Sequence, residues 1–225
     1  MKTRLFGSTI LSAMLLLGIA PVARASTGDL AVGAKAGTLG IGGEATLGIL
    51  PGLNVRTGYN AHNYDGTTTR DNIAYNYRLR LGSLPLLIDL HPFPTSGFRF
   101  SGGLIVNNNK VDATGKPQGS YTIGGTTYTA AQVGNLTGRI EFNSTAPYAG
   151  IGWGNAVAKG LPLTVCIDAG VMFQGIPKVS LSANGTLASD STFKANLAKE
   201  EATIRDTTDN LKYYPVVSLG LAYRF

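Results

Sequence analysis

Residues 216–225 read Val-Val-Ser-Leu-Gly-Leu-Ala-Tyr-Arg-Phe. Val217, Leu219, Leu221, Tyr223 and Phe225 share one face of an extended chain, while Val216, Ser218, Gly220, Ala222 and Arg224 share the other. Side chains two positions apart point the same way on a strand, so one face is apolar to the last residue and the other is small or polar. In a soluble sandwich the apolar face would turn to a core. In a transmembrane barrel it turns to lipid, and the small, polar face fills the lumen.

The same alternation recurs upstream. Leu39, Ile41, Gly43, Ala45, Leu47 and Ile49 oppose Gly40, Gly42, Glu44, Thr46 and Gly48. Val55, Thr57 and Tyr59 oppose Arg56, Gly58 and Asn60 after Pro51-Gly52, and Phe98, Phe100 and Leu104 oppose Arg99, Ser101 and Gly103. Val165, Ile167, Ala169, Val171 and Phe173 oppose Cys166, Asp168, Gly170 and Met172. Two stretches change phase. Tyr75, Tyr77, Leu79 and Leu81 oppose Arg78 and Arg80, then Leu84, Leu86, Ile88 and Leu90 take over beside Pro85. Ile140 and Phe142 likewise give way to Ala149, Ile151 and Trp153 across Pro147. One extra residue in a β-bulge flips the phase, and bulges tolerate proline, so both are expected to be long bulged strands.

Short links at 51–52, 92–97 and 155–162 alternate with longer ones around 65–71, 107–136 and 176–212. That asymmetry is expected of an all-β, antiparallel up-and-down transmembrane β-barrel, with short turns on the side of the chain termini. With Leu30 to Ala36 as a brief first strand the count is about eight. Ser120 to Thr129 alternates around Gly124-Gly125 and predicts a small hairpin. Asp190 to Leu211 changes period, with Phe193, Leu197, Ile204 and Leu211 near one helical face, and predicts a short amphipathic helix in the last extracellular loop.

The N-terminus sets the compartment. Lys2 and Arg4 precede an apolar run ending at Ile19, and Ala23-Arg24-Ala25 closes it. This pattern predicts a signal peptide over residues 1–25, cleaved before Ser26, which leaves 26–225 as one barrel domain. Of the formal charge of +6, three positive charges belong to Lys2, Arg4 and Arg24. The remaining basic residues are scattered, without the clustered patch that nucleic acid requires. Charged residues are only 14% of the chain and glycine 30 of 225, unusual for a soluble enzyme. The lone Cys166 has no internal disulfide partner.

The last eight residues resemble the C-terminal targeting signal of bacterial outer-membrane proteins: Ser218, Gly220, Tyr223 and Phe225 stand where that signal places a polar residue, a glycine and alternating aromatics. The resemblance implies insertion by the barrel-assembly machinery into outer-membrane lipid. The wider pattern is similar to the small OmpA-like, OmpW-like and opacity-type barrels, with no residue-level functional motif to match. A monomer in the Gram-negative outer membrane is expected, with its extracellular ligand unspecified.

Alternation places Lys35, Glu44, Arg56, Arg78, Arg80, Arg99, Asp168 and Arg224 on inward faces. An eight-stranded interior is mostly filled by side chains, so these residues are expected to pair into a polar plug. A narrow small-solute channel is the alternative, since arginines outnumber the acids. Tyr59, Tyr75 and Tyr77 suit an upper aromatic girdle, and Phe98, Trp153, Tyr223 and Phe225 a lower one. A lipid-modifying enzyme would need a nucleophile, a base and an acid on neighbouring strands. The two histidines, His62 near Asp65 and His91 before Pro92, lie in no such motif. Two distant histidines and Cys166 offer no metal-ligand spacing, and the glycines at 37, 40, 42 and 43 lack a phosphate loop's Lys-Ser/Thr ending. No catalytic, cofactor-binding or metal-binding residue is expected. The reading is a noncatalytic barrel with an envelope-structural or surface-interaction role carried by its long loops.

Overall fold

The computed structural model describes residues 27–70, 73–93, 96–116, 119–160 and 162–225; the expected signal peptide lies outside them. Eight strands close a barrel: β1 (Leu30–Gly37), β2 (Gly40–Leu50), β3 (Leu53–Arg70), β4 (Ile73–Leu90), β5 (Phe98–Asn107), β10 (Thr145–Trp153), β11 (Leu163–Phe173) and β13 (Tyr213–Arg224). Each pairs antiparallel with its neighbours, and β13 returns to β1 from Gly37↔Ser218 to Ala31↔Arg224. Beyond the last ladder rung, the Phe225 amide donates to the Leu30 carbonyl at 3.1 Å. Closure leaves no edge, the condition a sheet must meet in a medium that cannot hydrogen-bond.

The outer face carries a continuous apolar belt. From β13 to the C-terminus, Val217, Leu219, Leu221, Tyr223 and Phe225 are 49–72% exposed, and on β4 Leu84, Leu86, Ile88 and Leu90 are 43–56% exposed. Eight residue steps on a strand tilted by about 40° make a belt about 20 Å tall. Phe93, Phe100, Trp153, Tyr223 and Phe225 ring the lower end, where Leu30 meets Phe225, and Tyr59, Phe173 and Tyr213 line the upper end. Tyr77 sits elsewhere, because its side of β4 turns inward.

Above the belt five strands continue upward without closing. The upper halves of β3 and β4 are joined by β6 (Lys110–Lys116), β9 (Leu136–Glu141) and β12 (Lys178–Ala183), in the order β3-β4-β6-β9-β12. The two expected bulges are absent there. The β3–β4 ladder keeps one register from Leu53↔Leu90 to Arg70↔Ile73. Likewise β4 pairs with β5 (Ser83↔Asn107) and β6 (Arg80↔Lys110) in a single register. The second stretch is two strands, β9 and β10, separated by residues 142–144.

What changes is the surroundings of an unflipped strand. Within the belt the outward face is apolar and the inward face polar. Above it the outward positions are Asn76, Arg78 and Arg80, and the inward ones are Tyr77, Leu79 and Leu81. At the far side of the wall, the inward faces of β9 and β12 meet a cap made of the hairpin β7 (Ser120–Ile123) and β8 (Thr126–Thr129), the single turn α1 (Ala130–Val133), and α2 (Ser191–Thr207). Ile123, Tyr128, Val133, Phe193 and Leu197 form its core, with Leu136 and Leu181 of the wall packed against them. The cap also covers an exposed sheet edge: Glu201 of α2 accepts the Leu181 amide of β12 at 2.7 Å, which blunts a site for unwanted strand pairing. The helix starts where Asp190 accepts the Phe193 amide at 2.8 Å, an N-cap. It stops at Thr207, so Leu211 falls in a following 3-10 turn (Asp209–Lys212) and is exposed.

Phe193 is fully buried and meets Tyr128 edge to face at 5.0 Å. Phe193→Ala is expected to cost about 3–5 kcal/mol within the cap. Hydrogen exchange should accelerate in α2 and β7–β8 while the barrel ladders stay protected; equal loss of protection in both would show that cap and barrel unfold as one unit.

Candidate functional site

The lumen is filled in layers. At mid-height Arg56, 3% exposed, projects from β3. Its guanidinium donates to both Asp89 carboxylate oxygens (2.8 and 3.1 Å) and to both of Asp168 (3.0 and 3.1 Å). It also reaches Glu44 at 3.4 Å and Ser101 Oγ at 3.3 Å. Arg99 donates to Asp168 at 2.7 Å and to the Gly154 carbonyl, and lies 3.8 Å from Asp89. Lys35 Nζ donates to Glu44 at 2.8 Å, and the Ser101 and Ser218 hydroxyls donate to Asp89 and Asp168.

Three cations thus face three carboxylates, and the cluster carries no net charge. Neutrality matters because an ion transferred alone from water to a low-dielectric interior costs several kcal/mol, which a partner with good hydrogen bonds offsets. The planar fork of arginine suits two carboxylates at once.

Each side carries a packed apolar cluster, bordered by buried polar side chains such as Asn60 and Ser83 above and Asn54 and His91 below. Above, Leu39, Leu87, Ile105, Ala146, Tyr148, Met172 and Val216 pack together. Leu39 leaves the outward face assigned to it by alternation because it sits in the β1–β2 turn. Below, Ala31, Ala156, Val157, Cys166 and Ala222 close the lower end. There the β10–β11 link tucks into the mouth, with Asn155 Oδ1 accepting from Asn54 Nδ2 at 3.1 Å and the Val157 amide at 3.3 Å. Gly154 permits the turn: its φ is +103°, and a Cβ there would lie 2.2 Å from the Val165 carbonyl. Among the described residues, cavities beside the cluster include two of about 20 Å3 and one of about 10 Å3, room for about one water each.

Of the inward residues read from alternation, Lys35, Glu44, Arg56, Arg99 and Asp168 meet in this cluster. Arg78 and Arg80 do not. They lie above the belt on the outward side, where Arg78 binds Asp65 at 2.5 Å and Arg80 stands 3.7 Å from Asp112. Both had been assigned inward on the premise that the apolar face is always the outer one, which fails once the wall leaves the belt. Arg224 is at the lower mouth, 3.4 Å from the Gly160 carbonyl. Alternation missed Asp89, although it falls between the outward Ile88 and Leu90 and so was legible as inward. Ser218, which alternation puts on the small, polar face without counting it among the charged lumen residues, adds its hydroxyl to the cluster. Gly220 is buried on the inward face beside Lys35, and Tyr223 and Phe225 point outward and stack edge to face at 5.4 Å. His62 is exposed at the upper rim; His91 is buried below the cluster, lining the 10 Å3 cavity.

No family model and no curated protein sequence matches the chain. Among solved structures it is similar to CarO2 of Acinetobacter baumannii, with 22% identity, a TM-score of 0.60, and 89% of this chain and all of that one covered. It is also similar to CarO of the same organism, with 21% identity, a TM-score of 0.56, and 92% and 98% covered. The likeness is one of fold, a closed eight-stranded barrel.

Removing the central cation strands Asp89, Asp168 and Glu44 in the interior. Arg56→Met is expected to destabilise the barrel by about 3–5 kcal/mol. Arg56→Lys should lie between it and the wild type, keeping the charge without the paired forks. Urea titration of the compact species on unheated gels measures this order, and a wild-type midpoint for Arg56→Met would show that the cluster does not hold the barrel.

Proposed function

We propose that the chain is an outer-membrane β-barrel with a sealed lumen, noncatalytic, whose working surface is the walled extension above the belt. The observation that carries this reading is the filled interior. A neutral ion cluster lies between two apolar clusters, and the link at 154–157 closes the lower mouth. A conducting path needs a continuous hydrated track, and the residual spaces beside the cluster hold about one water each. The apolar belt, about 20 Å tall and flanked by aromatics at both ends, supports placement in a bilayer. The C-terminal resemblance supports the outer membrane and delivery by the barrel-assembly machinery. With a lumen spent on packing, an envelope-structural or surface-interaction role falls to the five-stranded extension and its helix-bearing cap.

Planar-bilayer recording tests the sealed state. The wild type is expected to give no steady unit conductance. Arg56→Ser/Asp89→Ser/Arg99→Ser/Asp168→Ser removes four plug side chains without changing net charge and should open a small, weakly selective conductance. Steady, large conductance from the wild type would overturn the reading in favour of a channel. Fractionation with the outer membrane, and heat-modifiable gel mobility, check the location itself.

A further inference from the structure

The outward face of the extension is laid out in tiers by the strand register. The tier nearest the belt aligns Arg80, Lys110, Glu141 and Lys178 across β4, β6, β9 and β12. Three cations against one carboxylate leave a surplus of two positive charges. Lys110 and Lys178 make no ion pair among the described residues, and Arg80 has only the loose 3.7 Å contact with Asp112. The next tier aligns Asp65, Arg78, Asp112 and Arg139, alternating in sign. It neutralises itself: Arg78 binds Asp65 at 2.5 Å and Arg139 binds Asp112 at 2.7 Å. The third aligns Thr67, Asn76, Thr114 and Thr137, uncharged donors and acceptors. The upper two tiers line an open groove of about 660 Å3.

Height gives these tiers a meaning. Arg80 is four residues above Leu84, the last apolar outward side chain on β4, so it stands about 10 Å above the belt along the barrel axis. That is where headgroups begin when the belt is in lipid. The surplus positive charge therefore begins at the level of lipid phosphates with Arg80 and, because registered positions on strands tilted by about 40° climb about 3 Å per strand, rises about 9 Å to Lys178, beside a groove lined by charged, hydroxyl and amide side chains.

We propose that this face is a docking strip for the phosphorylated saccharide headgroup of an outer-leaflet lipid, with Arg80, Lys110 and Lys178 binding phosphate and the groove above holding the sugar. The proposal rests on the membrane placement given above. Continuity of the strip with the apolar belt gives one ligand both contacts: acyl chains against Leu84 and Leu86, headgroup against the tiers. The paired second tier adds no net attraction and sets spacing and hydrogen bonds.

The test titrates the folded full-length barrel, in neutral detergent at low salt, with diphosphorylated lipid A, monophosphoryl lipid A and phosphatidylglycerol, counting bound lipid by native mass spectrometry. Diphosphorylated lipid A should bind tightest. Arg80→Ser/Lys110→Ser/Lys178→Ser should weaken it on the order of 100-fold, the scale of three headgroup-level cations at low salt, and remove the preference for the second phosphate. Thr137→Trp, which fills the groove, should weaken lipid A and leave phosphatidylglycerol unchanged. Heat-modifiable mobility of each variant confirms that it is folded. Equal lipid A binding by wild type and triple variant overturns the proposal, as does equal binding of all three lipids by the wild type. A nonconducting barrel without phosphate preference would overturn the strip alone, whereas a conducting barrel that shows the preference would overturn only the sealed lumen.

Discussion

Closure of the backbone ladder is the constraint on which the structure depends. An amide or carbonyl left unpaired in an apolar medium costs several kcal/mol, and a sheet that returns to its own first strand leaves none along that seam. Here β1 and β13 meet over seven paired positions, and Phe225 extends that seam to Leu30. Once eight strands close, the interior is narrow enough for side chains to fill it. Everything inside the wall is then a packing problem.

The chain solves that problem with charge between apolar clusters. Arg56 spans β3, β4, β11 and β2 through Asp89, Asp168 and Glu44, tying together strands far apart in sequence. A hydrophobic filling would serve stability as well. A forked cation with two carboxylates additionally fixes which residues of four strands face one another, because a one-residue slip would carry each charge to the apolar outer face. The small residues around it make room: at Gly152 a Cβ would lie 2.9 Å from the Arg99 guanidinium.

The extension obeys the opposite polarity on the same strands. Where β4 passes Gly82, the apolar outer belt ends, and the strand leaves the closed barrel for the open five-stranded wall. Arg78 and Arg80 then belong outside, and Leu79 and Leu81 inside, with no change of register. The strand does not turn over; its solvent does. The resulting charged and hydroxyl-bearing surface sits directly above the belt, so the inversion that defines the fold's upper half also creates its polar outer face.

Period-two alternation, turn spacing and the pattern of residues 216–225 were enough to define an eight-stranded antiparallel barrel, the 120–129 hairpin and the helix near 191–207, because these rest on local spacing and on the sign of hydrophobicity along one strand. The inward positions of Lys35, Glu44, Arg56, Arg99 and Asp168 were legible for the same reason. Alternation states that two faces differ; it does not state which medium each face meets. That is why alternation misplaces Arg78 and Arg80 and reads the unbroken β4 as bulged. The pairing of Arg56 with Asp89 and Asp168, the tucked link at 154–157 and the tiers across β4, β6, β9 and β12 join residues up to 112 positions apart. Only strand register brings such residues together, and only the closed tertiary structure decides it.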